Sequence, residues 1–220
     1  MITLALDTAC DICAVGLSHN DQILAYDSVL IGKGHAEFLP DQIKNVMQQA
    51  QYQFNQIDRI AVNIGPGSFT GIRVGVATAR GLALALQKPA IGINNLEAMA
   101  FEAKQKFSNS PIMVIQTTTL ERFFVATFDK NGCENTKPDN LKADDIYSLI
   151  NKDTVLAGSG AKTIADIFNL SNNLYEKAHP DIQNFAFLGA TKQTSSKPSP
   201  MYLRAPDAKP KEGFAIAYKE

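Results

Sequence analysis

The sequence predicts an α/β protein with two related halves. Short apolar runs suited to buried strands alternate with segments of helical period, and the first hundred residues spell β-β-β-α-β-α-β-α. A looser strands-then-helix order restarts after Ser108-Asn109-Ser110-Pro111, which places a seam between residues 107 and 108. In order, Ile2 to Leu6 is a nearly continuous apolar run, as in a strand buried on both faces. Ala14 to Leu17 and Ile23 to Val29 flank the turn His19-Asn20-Asp21 and read as a hairpin. A helix from about Ala36 to Tyr52 carries Leu39, Ile43, Val46, Met47 and Ala50 at helical spacing, with Pro40 placed in its first turn. Ile60 to Ile64 is a short buried strand ended by Gly65-Pro66-Gly67. A second helix then runs from about Thr70 to Leu86, followed by a strand at Ala90 to Ile93 and a helix at Leu96 to Phe107.

In the second half, Ile112 to Ile115 and Phe123 to Phe128 read as strands, and Asn131 to Asn140 as loop. Leu141 to Ile150 is a helix, Val155-Leu156-Ala157 a strand, and Gly158-Ser159-Gly160 a turn into a helix near Ala161 to Phe168. Phe185 to Lys192 reads as one more helix. Thr194 to Pro210 carries four of the ten prolines and reads as an extended tail.

Composition narrows the class. With 220 residues, 45% hydrophobic and 20% charged, the chain can bury a proper core and is neither disordered nor a coiled coil. No apolar run approaches the roughly 18 residues of a membrane span, since Thr78 and Arg80 interrupt the richest stretch, Val74 to Leu86. Met1-Ile2-Thr3-Leu4 has no basic region ahead of it, so a cytoplasmic location is expected. A net charge of −1 gives no footprint for tight nucleic-acid binding. Only the stretch from Lys192 onward is basic, with Lys192, Lys197, Arg204, Lys209, Lys211 and Lys219 against Asp207, Glu212 and Glu220. Cys10-Asp11-Ile12-Cys13 has redox or zinc spacing, but it lies between two strands and has no second ligand pair. His19, His35 and His179 form no metal-binding motif, so no metal or cofactor is expected.

Chemistry concentrates in two places. Asp7 ends the first strand, where a carboxylate can hold a metal or orient a water. The matching strand end in the second half reads Gln116-Thr117-Thr118-Thr119, with no acid before Glu121, which argues against hydrolysis. The run Gly65-Pro66-Gly67-Ser68-Phe69-Thr70-Gly71-Ile72-Arg73-Val74-Gly75 joins a strand to a helix, where an anion could rest on backbone N–H groups. It fits neither a Walker loop nor a dinucleotide fingerprint, and Ser68 is not in a nucleophile elbow. Its spacing favours close packing. Gly71, Gly75 and Ala79 recur every four residues, flanked by Thr78, Leu82 and Leu86, and that face could meet either the chain's own sheet or a partner.

Ala5-Leu6-Asp7-Thr8-Ala9, the GPGSFTGIRVG run and Pro200-Met201-Tyr202-Leu203-Arg204 resemble the bacterial TsaB (YeaZ) family over the whole chain, loosely between 108 and 195. The resemblance implies an actin-like, Hsp70-like (ASKHA) fold of two lobes, each a variation on a ribonuclease-H-like β-β-β-α-β-α-β-α unit. The lobes are residues 1–107 and a reduced second lobe at 108–220 with a Pro-rich tail. It implies a non-catalytic partner of TsaD, the subunit that transfers a threonylcarbamoyl group to tRNA, with the ATPase TsaE joining the assembly. Alone, the chain would form a homodimer, and it would meet tRNA only through the complex. The old glycoprotease (peptidase M22-like) label of the family finds no support in these residues. Pairing in the family runs through the first two helices, which turns the small-residue stripe toward an interface. The partner surface expected here is Glu37, Phe38, Gly71, Arg73, Gly75, Thr78, Ala79 and Leu82, and Asp7, Gly67 and Ser68 mark a vestigial nucleotide or anion site. The competing reading is an active ATPase or small-molecule kinase using Asp7 and the Gly67–Gly71 loop. A third is a homodimeric interaction protein unrelated to RNA.

Overall fold

The computed structural model describes residues 1–118, 121–193 and 197–204. The strands are β1 (Ile2–Asp7), β2 (Ile12–His19), β3 (Gln22–Leu30), β4 (Arg59–Asn63), β5 (Ala90–Ile93), β6 (Ile112–Thr117), β7 (Arg122–Phe128), β8 (Glu134–Lys142), β9 (Val155–Ala157) and β10 (Leu174–Tyr175). The helices are α1 (His35–Gln49), α2 (Phe69–Leu86), α3 (Asn95–Lys106), α4 (Ala143–Tyr147), α5 (Ala161–Ile167) and α6 (Ile182–Thr191). Two five-stranded sheets form, in the orders β3-β2-β1-β4-β5 and β10-β9-β6-β7-β8. Each has an antiparallel three-strand meander extended by two parallel strands, so the repeated pattern in the sequence becomes a repeated topology.

Side-chain size on β1 decides what packs on each face of the first sheet. Leu4 and Leu6 meet Val15, Leu39, Ile43, Ile72 and Val76, the layer under α1 and α2. The opposite face offers Ala5 and Ala61, and α6 packs there with Phe185 and Ala186. The approach is close: a Cβ on Gly189 would lie 2.4 Å from that of Ala61. In the second sheet Ile112 and Val114 face α3, whereas Met113 and Ile115 face α4 and α5. Thus α3, from the first half of the chain, packs on the second sheet, and α6, from the second half, packs on the first. The seam at 107/108 separates the strands, but these two helices are exchanged across it.

The exchange is fastened by Glu102, which is buried between α3 and α6. Its carboxylate accepts from Tyr175 Oη (2.7 Å), the Asp181 N–H (2.7 Å), Asn184 Nδ2 (2.6 Å) and Lys177 Nζ.

Four elements differ from expectation. Residues 131–133 turn, but 134–140 are not loop: β8 pairs antiparallel with β7. It is an exposed edge whose backbone ladder needs no apolar alternation, so ENTKPDNLK gave no signal. β10 is a two-residue addition to β9, too short for a pattern. The helix after β8 is shorter than Leu141 to Ile150 and spans Ala143–Tyr147. α1 starts at His35, which puts Pro40 in its second turn; Ala36, whose carbonyl loses its partner there, is exposed to water.

Candidate functional site

The C-terminal ends of β1, β4 and β6 meet at an open cleft. Asp7 lies at its floor with only 5% of its surface exposed. Asp7 Oδ1 accepts from the Ala9 N–H (2.8 Å) and from Asn63 Nδ2 (2.9 Å), while Asn63 Oδ1 accepts from the Gly65 N–H (2.8 Å). Burial raises the Asp7 carboxyl above the ordinary 3.8, against the pull of those two bonds and of His179 and His35. The corresponding end of β6 presents Gln116, whose Oε1 accepts from Asn95 Nδ2 (3.1 Å). The first sheet thus ends in an acid and the second in an amide at the matching strand ends. The Asn63, Asn95 and Gln116 amides carried no chemical motif in the sequence, and only the fold brings them together.

A cavity of 360 Å³ opens from Asp7 toward Cys10, Tyr26, Lys177 and His179. A neighbouring one of 630 Å³ is bounded by Cys10, Gly67, Ser68, Phe69, Thr117, His179 and the segment Met201 to Arg204. Burial, aided by Asp7, pushes the Cys10 and Cys13 thiols up to about 12, the opposite of an activated redox pair. Among the described residues no three His, Cys, Asp or Glu side chains are placed to hold a metal ion. The Gly158-Ser159-Gly160 turn is occupied structurally, since Ser159 Oγ accepts from the Thr117 N–H and the Gly160 N–H binds the Ile115 carbonyl.

The glycine run folds tightly on β1. The Ser68 N–H donates to the Ala9 carbonyl (2.6 Å), and Ser68 Oγ caps α2 by accepting from the Gly71 N–H (3.2 Å). A Cβ would come within 2.2 Å of Ala9 O at Gly67, 1.9 Å of Thr8 O at Gly71, and 2.6 Å of Thr8 Oγ1 at Gly75. Thr8 Oγ1 in turn donates to the Gly71 carbonyl (2.7 Å). Gly67, Gly71 and Gly75 therefore make room for the Thr8-Ala9 backbone and side chain. Gly71, Gly75 and Ala79 form the inner face of α2. This corrects the expectation that the stripe meets a partner: its glycines meet Thr8, just past the first strand, and the stripe is buried within the chain.

The outer face carries a second stripe with the same spacing, Ala77, Gly81 and Ala85, all exposed. A Cβ on Gly81 would meet nothing within 4 Å. Leu84 beside it is 82% exposed. Helix α2 is 18 residues long and, by length and composition alone, apolar enough to cross a membrane; only 28% of it is buried. Thr78 and Arg80 interrupt the apolar run, as read from the sequence, but the full helix Phe69–Leu86 is longer and more apolar than that run alone suggested. Of the other expected surface residues, Glu37 and Phe38 are exposed on α1, Thr78 and Leu82 are half-buried, and Arg73 is exposed.

Arg73 is held by a feature the sequence did not announce. Residues 197–204 cross from one sheet to the other: the Met201 N–H donates to the Ile64 carbonyl (2.7 Å), and Asn140 Nδ2 donates to the Leu203 carbonyl (3.4 Å). Between these anchors Tyr202 lies against Phe69 (centroids 4.7 Å) and accepts from Arg73 Nε (2.8 Å). The Arg73 guanidinium lies 3.7 Å over the Phe69 ring. Half of the expected basic residues of the tail, Lys209, Lys211 and Lys219, lie outside the described residues.

Comparison with known proteins fits this architecture. A family model described as "TsaD: tRNA N6-adenosine threonylcarbamoyltransferase" matches residues 29–190. The "tRNA threonylcarbamoyladenosine biosynthesis protein TsaB" of Buchnera aphidicola (Schizaphis graminum) is 28% identical over 74% of this chain and 80% of its own length. The Escherichia coli protein of that name is 30% identical over 60% of this chain and 58% of its own. The chain belongs to this family, and within it to the TsaB (YeaZ) group. A Thermosipho melanesiensis tRNA N6-adenosine threonylcarbamoyltransferase is 36% identical, but the match spans only 34% of its length. Among solved structures, a Pseudomonas aeruginosa protein "with similarity to peptidase YEAZ" superposes with a TM-score of 0.76 at 22% identity, covering 92% of this chain and 99% of the other. The fold is the actin-like one, which extends to component A of the Acidaminococcus fermentans (R)-2-hydroxyglutaryl-CoA dehydratase, with a TM-score of 0.53 at 12% identity over 86% of this chain and 96% of that one.

Proposed function

We propose that the chain is the non-catalytic, activating subunit of a bacterial tRNA threonylcarbamoyladenosine (t6A) synthesis complex. It pairs with the transferase TsaD, supports binding of TsaE, pairs with itself when alone, and reaches tRNA only through the complex in the cytoplasm. TsaB relatives named for t6A biosynthesis support the pathway. The observation that carries the subunit role is the outer face of α2. A glycine in the middle of a helix costs about 1 kcal/mol relative to alanine. Within this chain nothing requires one at Gly81, where a side chain would meet open space. A helix or strand of a partner closing on Ala77, Gly81 and Ala85 does require it, and burying Leu84 would contribute about 2 kcal/mol. The strand ends support the non-catalytic part, since Asp7 is bonded to Asn63 rather than to a second acid and the matching strand end in the second sheet carries Gln116.

The test is reconstitution. TsaD and TsaE from the same organism, tRNA, ATP and the threonylcarbamoyl donor are assayed with and without this chain. Modification that requires the chain and survives Asp7→Asn is expected. A chain that neither co-elutes with TsaD nor stimulates modification has kept the fold without the role.

A further inference from the structure

The geometry points to Arg73 as a preorganised carboxylate receptor, its fork set by Phe69 and Tyr202, which takes an acidic side chain of the transferase partner. This rests on the reading of α2 as the partner-binding helix and adds the chemistry of one contact.

The argument begins with unpaired charge. The α2 sequence FTGIRVGVATARGLALAL contains two arginines and no acid. Among the described residues neither Arg73 nor Arg80 forms an ion pair. They are seven positions apart, two helical turns, so both stand beside the exposed Ala77–Gly81–Ala85 stripe. A surface that buries this stripe must also meet those charges, and a carboxylate is the side chain whose opposite charge and paired acceptors offset their desolvation.

The two arginines are not equivalent. Arg73 spends Nε on Tyr202 Oη and sets its guanidinium over Phe69, and among the described residues its two terminal nitrogens have no partner. A guanidinium fixed in this way presents a planar pair of donors, the geometry a carboxylate accepts bidentately. Because Arg73 is already oriented, it loses less rotamer freedom on binding than a free arginine. Arg80 has no aromatic platform or hydrogen bond among the described residues. Tyr202 and Phe69 are thus positioning residues. Tyr202 comes from the strap that joins the two sheets, so the receptor's orientation depends on that strap. A phosphate of RNA fits less well. The surrounding face is apolar and small, Ala77, Gly81, Leu84 and Ala85, and Arg80 is the other cation on this helix, fewer charges and polar donors than backbone-phosphate binding uses.

The test titrates the full-length chain and its variants with the transferase subunit of the same organism. Arg73→Lys keeps the charge and removes the fork; it is expected to weaken binding about tenfold while leaving the salt dependence near wild type. Tyr202→Phe keeps the ring and removes the acceptor, and a loss of about threefold is expected. Arg80→Lys should change affinity less than about twofold. Gly81→Leu separates this proposal from the one beneath it. If Gly81→Leu abolishes pairing while Arg73→Lys and Tyr202→Phe bind as wild type, the α2 surface stands and the receptor is wrong. If all three bind as wild type, the partner docks elsewhere and both readings fall. Loss of tRNA retention by Arg73→Lys with transferase affinity unchanged would overturn the carboxylate assignment in favour of phosphate.

Discussion

Substituting Gly81 should make the isolated chain more stable and the assembled one less so. Gly81 sits mid-helix on α2, and an added Cβ meets no atom within 4 Å. Gly81→Ala therefore gains helix propensity without a clash, about 1 kcal/mol. For a chain of this size that raises the melting temperature by about 3 °C. The comparison variant is Gly75→Ala on the opposite face, where the Cβ would stand 2.6 Å from Thr8 Oγ1. Thr8 is fully buried and bonded to the Gly71 carbonyl, so it has little room to yield. Overpacking there should cost about 2 kcal/mol, and Gly75→Leu should fail to fold rather than merely fail to pair. Thermal and urea unfolding of the purified variants measure the first effect. Titration with the transferase subunit measures the second, and Gly81→Leu should lose more than about tenfold in affinity with its unfolding midpoint unchanged or raised. Opposite movement of stability and affinity is the signature of an outward glycine kept for a partner. Equal destabilisation by Gly81→Ala and Gly75→Ala, or unaltered affinity in Gly81→Leu, would refute the reasoning.

Two further outcomes follow from buried carboxylates. Glu102→Gln removes the charge from a group that is 7% exposed and accepts four hydrogen bonds, one from Lys177. A loss of about 3 kcal/mol in urea unfolding is expected, with faster hydrogen exchange in α6, and a loss below about 1 kcal/mol would mean that α3 and α6 do not depend on this junction. Burial raises the Asp7 carboxyl above 3.8, so the folded chain holds that proton more tightly than the unfolded chain. Its contribution is complete below about pH 3.8 and is lost as pH rises through the folded value. Asp7→Asn can keep both bonds to the carboxyl oxygen, so its stability relative to wild type should increase from about pH 4 to about pH 8. A flat difference across that range would contradict the burial argument.

Much of the fold was legible because buried strands and amphipathic helices write their periods into the chain. Ile2 to Leu6 and Ile60 to Ile64 read as strands for the reason they are strands: apolar side chains leave water on both faces. β8 was illegible because an exposed edge is held by backbone bonds to β7, which leave no trace in side-chain type. The exchange of α3 and α6 was equally hidden, since a helix's pattern shows that it has an apolar face and not which sheet receives it.

Within the expected partner surface, the three small residues Gly71, Gly75 and Ala79 were set on the wrong side of α2 for a specific reason. Helix α2 carries two stripes of small residues four apart, Gly71–Gly75–Ala79 and Ala77–Gly81–Ala85, and period alone cannot say which faces inward. The flanking residues could have decided it. Ile72 and Val76, large and β-branched, accompany the first stripe into the core, whereas Arg73 and Arg80 accompany the second into water. An arginine two turns from another on an otherwise apolar helix therefore marks the solvent side of the monomer. With no acid in the helix to pair with, the same two residues mark where an acidic partner would gain most. The glycines of the GPGSFTGIRVG run and the outward Gly81 thus answer different demands. The first group brings α2 and its leading loop tight against Thr8 and Ala9, and the last leaves the helix bare where a second chain would approach. Restoring a side chain at the first should damage the fold, and at the second only the assembly, which is why the paired substitutions test the whole reading.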